Sequence, residues 1–94
     1  MSNGFFAYPS EPPALGETIE KAISEINKSN LGKLRSWKQM KIVGKFIITE
    51  ICKEIEESDF FCCDLTYLNA NVLFELGYAI AKNKPIWITL DTTI

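Results

Sequence analysis

A chain of 94 residues, 47% hydrophobic and 23% charged with a net charge of -2, has room for one domain with a modest core. This balance lacks the basic footprint of a nucleic-acid binder. No apolar run approaches the roughly 20 residues that cross a bilayer, and no signal-peptide pattern opens the chain, so a cytoplasmic protein without a membrane partner is expected.

Phe5-Phe6-Ala7-Tyr8 is short, apolar and aromatic and reads as a first strand, stopped by the breaker cluster Pro9-Ser10-Glu11-Pro12-Pro13. From Leu15 to about Asn27, the spacing of Leu15, Ile19, Ala22, Ile23 and Ile26 by threes and fours predicts an amphipathic helix. Ser29-Asn30-Leu31-Gly32 closes it. Lys33-Leu34-Arg35-Ser36-Trp37-Lys38 alternates apolar and polar residues, the pattern of a short edge strand. A second helix is predicted from about Val43 to Glu57, with Phe46, Ile47, Ile51 and Ile55 as its buried stripe and Cys52 beside them. Asp59-Phe60-Phe61-Cys62-Cys63-Asp64-Leu65 has the continuous hydrophobicity of a strand covered on both faces. A third helix runs to about Lys82, capped by Asn69 or Asn71, and Pro85 to Leu90 is the last strand.

Strands alternating with helices predict parallel β-α-β units with right-handed crossovers. The expected fold is α/β: a three-layer sandwich on a mostly parallel sheet of about four strands, in flavodoxin-like (Rossmann-like) order. Residues 1–94 form one domain, and the chain stops just after a strand, one helix and strand short of most doubly wound domains. That predicts either a truncated chain or the first part of a longer protein.

The chemistry available is narrow. Histidine is absent and no C-x-x-C pair occurs, which argues against Ser-His-Asp or Cys-His catalysis and against a zinc site; no metal is expected. The odd cysteine count, with Cys62 and Cys63 adjacent, argues against a disulfide framework. Strand alternation sends Cys62 and Cys63 to opposite faces of the sheet. Neither the G-x-G-x-x-G nor the P-loop pattern is present. Acid–base work falls to carboxylates, Lys, Tyr or Cys.

Two carboxylates stand out. Glu75 is the one charged residue between Val72 and Ala81. A glutamate on a helix is ordinarily solvated, but a helix this apolar is expected to be covered on most faces, leaving its carboxylate toward a cleft or a partner. Burial there raises the pKa and makes a usable acid, base or nucleophile. Asp64 ends a strand, on the side where open α/β sheets bind ligands; it caps a loop or orients a substrate hydroxyl. Asn69 or Asn71 caps the third helix, whose free N–H groups also suit a phosphate or ribose oxygen. Tyr8, Pro9 and Ser10 sit where the first strand meets its loop, either as plain loop or as a stacking aromatic and a hydroxyl at the mouth of a cleft. Gly77 within a helix implies close packing by a neighbour. Trp37 and Trp87 read as packing residues, and Lys33, Lys38, Lys41 and Lys45 as a solvated face.

Taken together, Phe6-Ala7-Tyr8-Pro9 and Asn71-Val-Leu-Phe-Glu75-Leu-Gly77-Tyr-Ala-Ile-Ala-Lys-Asn-Lys-Pro85 resemble the nucleoside 2-deoxyribosyltransferase-like superfamily and its relatives, the TIR-like nucleotide-binding and NAD-cleaving domains. The resemblance covers residues 5–9 and 59–90, and rests on an A-x-P step after the first strand and an E-[LI]-G-x-A…K-P step around a nucleophilic glutamate. It implies that Glu75 is the catalytic carboxylate, either attacking the anomeric carbon or steadying an oxocarbenium-like transition state, with Asp64 supporting it and Tyr8, Pro9, Ser10, Asn69 and Asn71 contacting substrate. NAD, another nucleotide or a nucleoside would be substrate or ligand, and no cofactor is implied. Tyr8 stands where the transferases usually have Gly, and Asn69-Ala70-Asn71 replaces a small Gly-containing step. Both favour hydrolysis or plain binding over transfer to a second base. Bacterial domains of this kind often serve as antiphage defence effectors fused to a sensor, so a fused domain or a homo-oligomer is a further expectation. The alternative is a nucleotide-sensing or self-association module without turnover.

Overall fold

The structure is a computed structural model that describes residues 2–40 and 47–93. The elements in chain order are β1 (Asn3–Ala7), α1 (Pro13–Lys28), β2 (Lys33–Arg35), a 3-10 turn (Trp37–Gln39), α2 (Ile47–Glu57), β3 (Phe60–Asp64), α3 (Ala70–Ala81) and β4 (Ile86–Thr89). The strands form one parallel sheet in the order β2-β1-β3-β4. This is the flavodoxin-like order, and its direction reverses between β1 and β3, where ligands of such sheets bind. The start of the second predicted helix, at Val43 to Phe46, lies outside the described residues, as do Lys41 and Lys45.

Side-chain alternation divides the core in two. Phe5, Ala7, Phe61 and Cys63 point to one face of the sheet and meet Ile51, Ile55, Val72 and Ala79 of α2 and α3. Phe6, Tyr8, Leu34 and Cys62 point to the other face and meet Ile19 and Ile23 of α1. Cys62 and Cys63 therefore take opposite faces, and the layers run α1, sheet, α2 with α3. Fully buried side chains such as Phe61 and Ile55 each contribute about 1.5–3 kcal/mol by leaving water. Pro13 suits the first turn of α1, where its missing N–H leaves no bond unmade. Asn69 caps α3, its Oδ1 accepting from the backbone N–H of Asn71 at 2.9 Å and of Val72 at 3.2 Å.

Three expectations are corrected. The outer side of α3 is open: Leu73, Phe74 and Ile80 are exposed, because only the side carrying Val72 and Ala79 rests on the sheet. Gly77 lies on the open side, and a Cβ added there would meet nothing within 4 Å. The glycine is therefore not required by a close neighbour. Trp87 packs into neither core cluster and is 65% exposed, since β4 is an edge strand with α1 displaced toward β2.

Candidate active site

The residues after β1, the turn after β2 and the first turns of α3 converge at the carboxyl edge of the sheet. They enclose a cleft of about 240 Å³ lined by Tyr8, Pro9, Ser10, Trp37, Ile51 and, from the start of α3, Asn69, Asn71, Val72 and Glu75. The convergence follows from parallel topology: β1 and β3 end at the same edge, and the short link after β3 starts α3 beside the loop after β1. Tyr8, Pro9, Ser10, Asn69, Asn71 and Glu75, singled out separately along the sequence, are thus brought to one cavity. A second hollow of about 160 Å³, lined by Ile48, Ile51, Asn71, Phe74 and Glu75, shares Ile51, Asn71 and Glu75 with the first. Glu75 stands where the two meet.

Burial pushes the Glu75 carboxyl up from 4.5 to about 7, so near neutral pH the protonated and ionised forms are both populated, as a proton-handling group requires. Asp64 is held differently. Its Oδ1 accepts from the Thr66 backbone N–H at 2.9 Å and its Oδ2 from the Thr89 hydroxyl at 2.6 Å. The Thr66 hydroxyl oxygen in turn accepts from the Asp91 N–H at 2.8 Å. Asp64 is buried and latches the ends of β3 and β4 together; it does not line the cleft. Both carboxylates are nonetheless felt by Cys63, whose thiol is pushed up to about 11 by burial first and then by the charges of Asp64 and Glu75. Burial likewise pushes Cys62 up to about 11. Both thiols are therefore protonated at neutral pH and are poor nucleophiles. Among the described residues no group of three or more Cys, Asp or Glu is arranged to hold a metal ion, and no helix is long and apolar enough to cross a membrane.

A larger hollow of about 400 Å³ lies at the opposite edge, lined among others by Asn3, Lys33, Arg35, Glu54 and Ser58. Its Arg35 is already paired with Glu54 at 2.9 Å, and it opens on the amino ends of the strands, away from the edge where such sheets bind ligands. The smaller cleft is the better candidate.

No protein-family model matches the chain, and no curated protein matches it. Solved structures do. A 2-deoxyribosyltransferase from Leishmania mexicana superposes with a TM-score of 0.80 at 21% identity, covering 96% of this chain and 65% of the transferase. A CMP N-glycosidase, BcmB, from Clostridium botulinum superposes with a TM-score of 0.73 at 18% identity, covering 94% and 71%. The TIR domains of the activated Roq1 resistosome give 0.78 at 15% identity, covering 96% and 57%. The fold is deoxyribosyltransferase-like. These are the groups the sequence resembles, and the chain spans about two thirds of the length of the transferase.

Within this fold, two roles of cleft residues and one residue behind them escaped the sequence reading. Trp37, read as packing, does pack against the core on the α1 side of the sheet, but it also lines the cleft. Its signal was positional: it lies just past β2, and a parallel neighbour of β1 must end at the same edge. Ile51 carried only the stripe pattern of a core residue, yet it borders both hollows. Glu20 had no signal, being one of several charges on the polar side of α1. It reaches the sheet to accept hydrogen bonds from the hydroxyls of Tyr8 and Ser36.

Proposed function

We propose that this domain cleaves the N-glycosidic bond of a nucleotide or nucleoside, NAD among the candidates, with Glu75 as the principal carboxylate. The observation that carries the proposal is Glu75 itself: a half-buried carboxyl, pushed to about 7, at the junction of two hollows in a deoxyribosyltransferase-like fold. Two structural neighbours, a 2-deoxyribosyltransferase and a CMP N-glycosidase, lend support.

In the proposed reaction the bond between C1′ and the base nitrogen breaks, and its electron pair leaves with the base. Positive charge develops on C1′ and the ring oxygen. The ionised Glu75 carboxylate either steadies this charge or bonds to C1′. Water then supplies a hydroxyl to C1′, displacing the Glu75 oxygen where that bond has formed. Its remaining proton balances the one taken up by a departing purine or pyrimidine, or passes to solvent where the leaving group is nicotinamide, which departs neutral. A fixed carboxylate in a partly dry site favours this charge more than one in water, because the site is preorganised around it. With Glu75 at the junction, the two hollows hold the two sides of the scissile bond. Asn69, Asn71 and Ser10 supply polar contacts, and Asp64 supports the site by holding the β3 end in place. A role in defence against phage is a further part of the proposal and rests on sequence resemblance alone.

The test is chromatography of free bases after incubating the 94-residue chain with NAD, nucleotides and deoxynucleosides, beside Glu75→Gln. Base release by the wild type and none by the variant is the expected result. Binding of a nucleotide without release by either protein would replace cleavage with nucleotide sensing.

A further inference from the structure

We infer that Glu20 is a positioning residue for the aromatic wall of the cleft, holding Tyr8 and the Trp37 turn in the arrangement that receives a flat base. The inference rests on the nucleotide-directed reading of the cleft above and adds to it the way the base is received.

The argument begins with a connection across three elements. Glu20 projects from α1 toward the sheet, and its Oε2 accepts from the Tyr8 hydroxyl and, at 2.5 Å, from Ser36 Oγ. Tyr8 directly follows β1, and Ser36 directly follows β2. Ser36 Oγ in turn accepts from the backbone N–H of Lys38 at 3.2 Å, which ties down the 3-10 turn carrying Trp37. One carboxylate therefore links the carboxyl ends of two neighbouring strands to the turn at the cleft mouth.

This linkage decides what the cleft presents. The Tyr8 hydroxyl is committed to Glu20, and burial together with that bond holds it protonated well above the ordinary tyrosine range. The Tyr8 ring is wedged against Gly16, where an added Cβ would come within 3.2 Å of it, and against Phe6, centroid to centroid at 6.4 Å. Only 4% of Tyr8 is exposed. Tyr8 therefore backs Trp37, 5.8 Å away between centroids, and the partly exposed indole is the aromatic surface available to a ligand. Lys38 Nζ lies 5.7 Å from the indole centroid. A wall of this kind recognises a planar heteroaromatic base by stacking, which tolerates any base because each has a π-face.

A carboxylate accepting from two largely buried hydroxyls also stabilises the fold, so the test must read more than stability. Three variants are made in a Trp87→Phe background, which leaves Trp37 as the sole tryptophan. Glu20→Leu removes the acceptor, Glu20→Gln keeps an oxygen acceptor, and Ser36→Ala cuts the link to the turn. Trp37 emission and its quenching by acrylamide are measured without ligand. Affinity for CMP and NAD is then measured, with KM and kcat for base release. In Glu20→Leu we expect Trp37 emission to shift to the red, quenching to rise, and KM or Kd to weaken about tenfold with kcat within about threefold. Glu20→Gln should restore the wild-type values, and Ser36→Ala should reproduce part of the loss. If Glu20→Leu does not fold, Ser36→Ala and Glu20→Gln carry the same comparison. Unchanged Trp37 emission and quenching in folded Glu20→Leu, or in Ser36→Ala when Glu20→Leu does not fold, overturns the inference; so does a loss confined to kcat. A wild type that releases no base and binds no nucleotide defeats the functional reading. The ligand-free Trp37 measurement then still decides for or against Glu20.

Discussion

Asp64 and Glu75 are carboxylates at the same edge of one sheet, close enough that both charges reach Cys63, yet the chain treats them oppositely. Asp64 closes β3 with both oxygens hydrogen-bonded, one to a backbone N–H and one to the Thr89 hydroxyl of the neighbouring strand. Its charge is used to fasten structure. Glu75, in the second turn of α3, borders two hollows and is pushed up to about 7 by burial. The difference teaches that residue type and edge of the sheet are not enough to assign chemistry. What separates the two groups is how much of each carboxylate's bonding capacity the fold has already taken.

Exchange of each carboxylate for its amide should break the symmetry most sharply. Glu75→Gln is expected to lower base release by about 10²–10⁴-fold, the range for losing a proton-handling group, while circular dichroism stays unchanged. Asp64→Asn is expected to change the rate far less. Equal losses in the two variants would mean the carboxylates work as a pair.

Stability against pH gives the next largest effect. The Glu75 carboxyl ionises near 4.5 when unfolded and near 7 when folded, so between those values the folded chain holds the extra proton. Its contribution is fully present below about pH 4.5 and is lost as pH rises through about 7, a decline of about 3 kcal/mol for a shift of this size. Urea denaturation of the wild type and Glu75→Gln across this range should show the decline in the wild type only. Under the proposed mechanism base release moves the other way, rising through about pH 7 as the carboxylate ionises. Parallel pH curves for the two proteins would show that Glu75 is not held as described.

The latch is tested by Thr89→Val, which should cost about 1–3 kcal/mol of stability by leaving the buried Asp64 Oδ2 without its partner, and chemical denaturation measures it. A cost below the error of the melt would remove the structural role given to Asp64. Gly77→Ala is the smallest change. The added methyl meets open space, so the variant should be more stable by about 0.5–1 kcal/mol through helix propensity. Destabilisation or a changed association state would mean that the open side of α3 is covered in solution.

Much of this molecule can be read from local pattern. Alternation in Phe60 to Asp64 places Cys62 and Cys63 on opposite faces because a strand has a period of two. Asn69 caps α3 because its side-chain oxygen reaches N–H groups two and three residues ahead. The β-α-β rhythm yields the parallel sheet in flavodoxin-like order, and that topology brings the loop after β1 to Glu75.

What the local pattern misses depends on which layer lies over which element. Trp87 and Phe61 occupy apolar runs of similar character on adjacent strands, yet one is 65% exposed and the other fully buried. β3 lies inside the sheet and β4 at its edge. Gly77 looks like a packing glycine until α3 is seen to press only its other side on the sheet. Glu20 is one charge among many until α1 docks and turns it toward Tyr8 and Ser36. Sequence by itself determined the periodicities, the caps, the strand and helix order and the two carboxylates worth testing, because these follow from bonds and spacings within a few residues. Only the tertiary structure decided which carboxylate is tied up, which tryptophan lines the cleft and which helix surface stays open. Those outcomes depend on contacts between segments far apart in the chain.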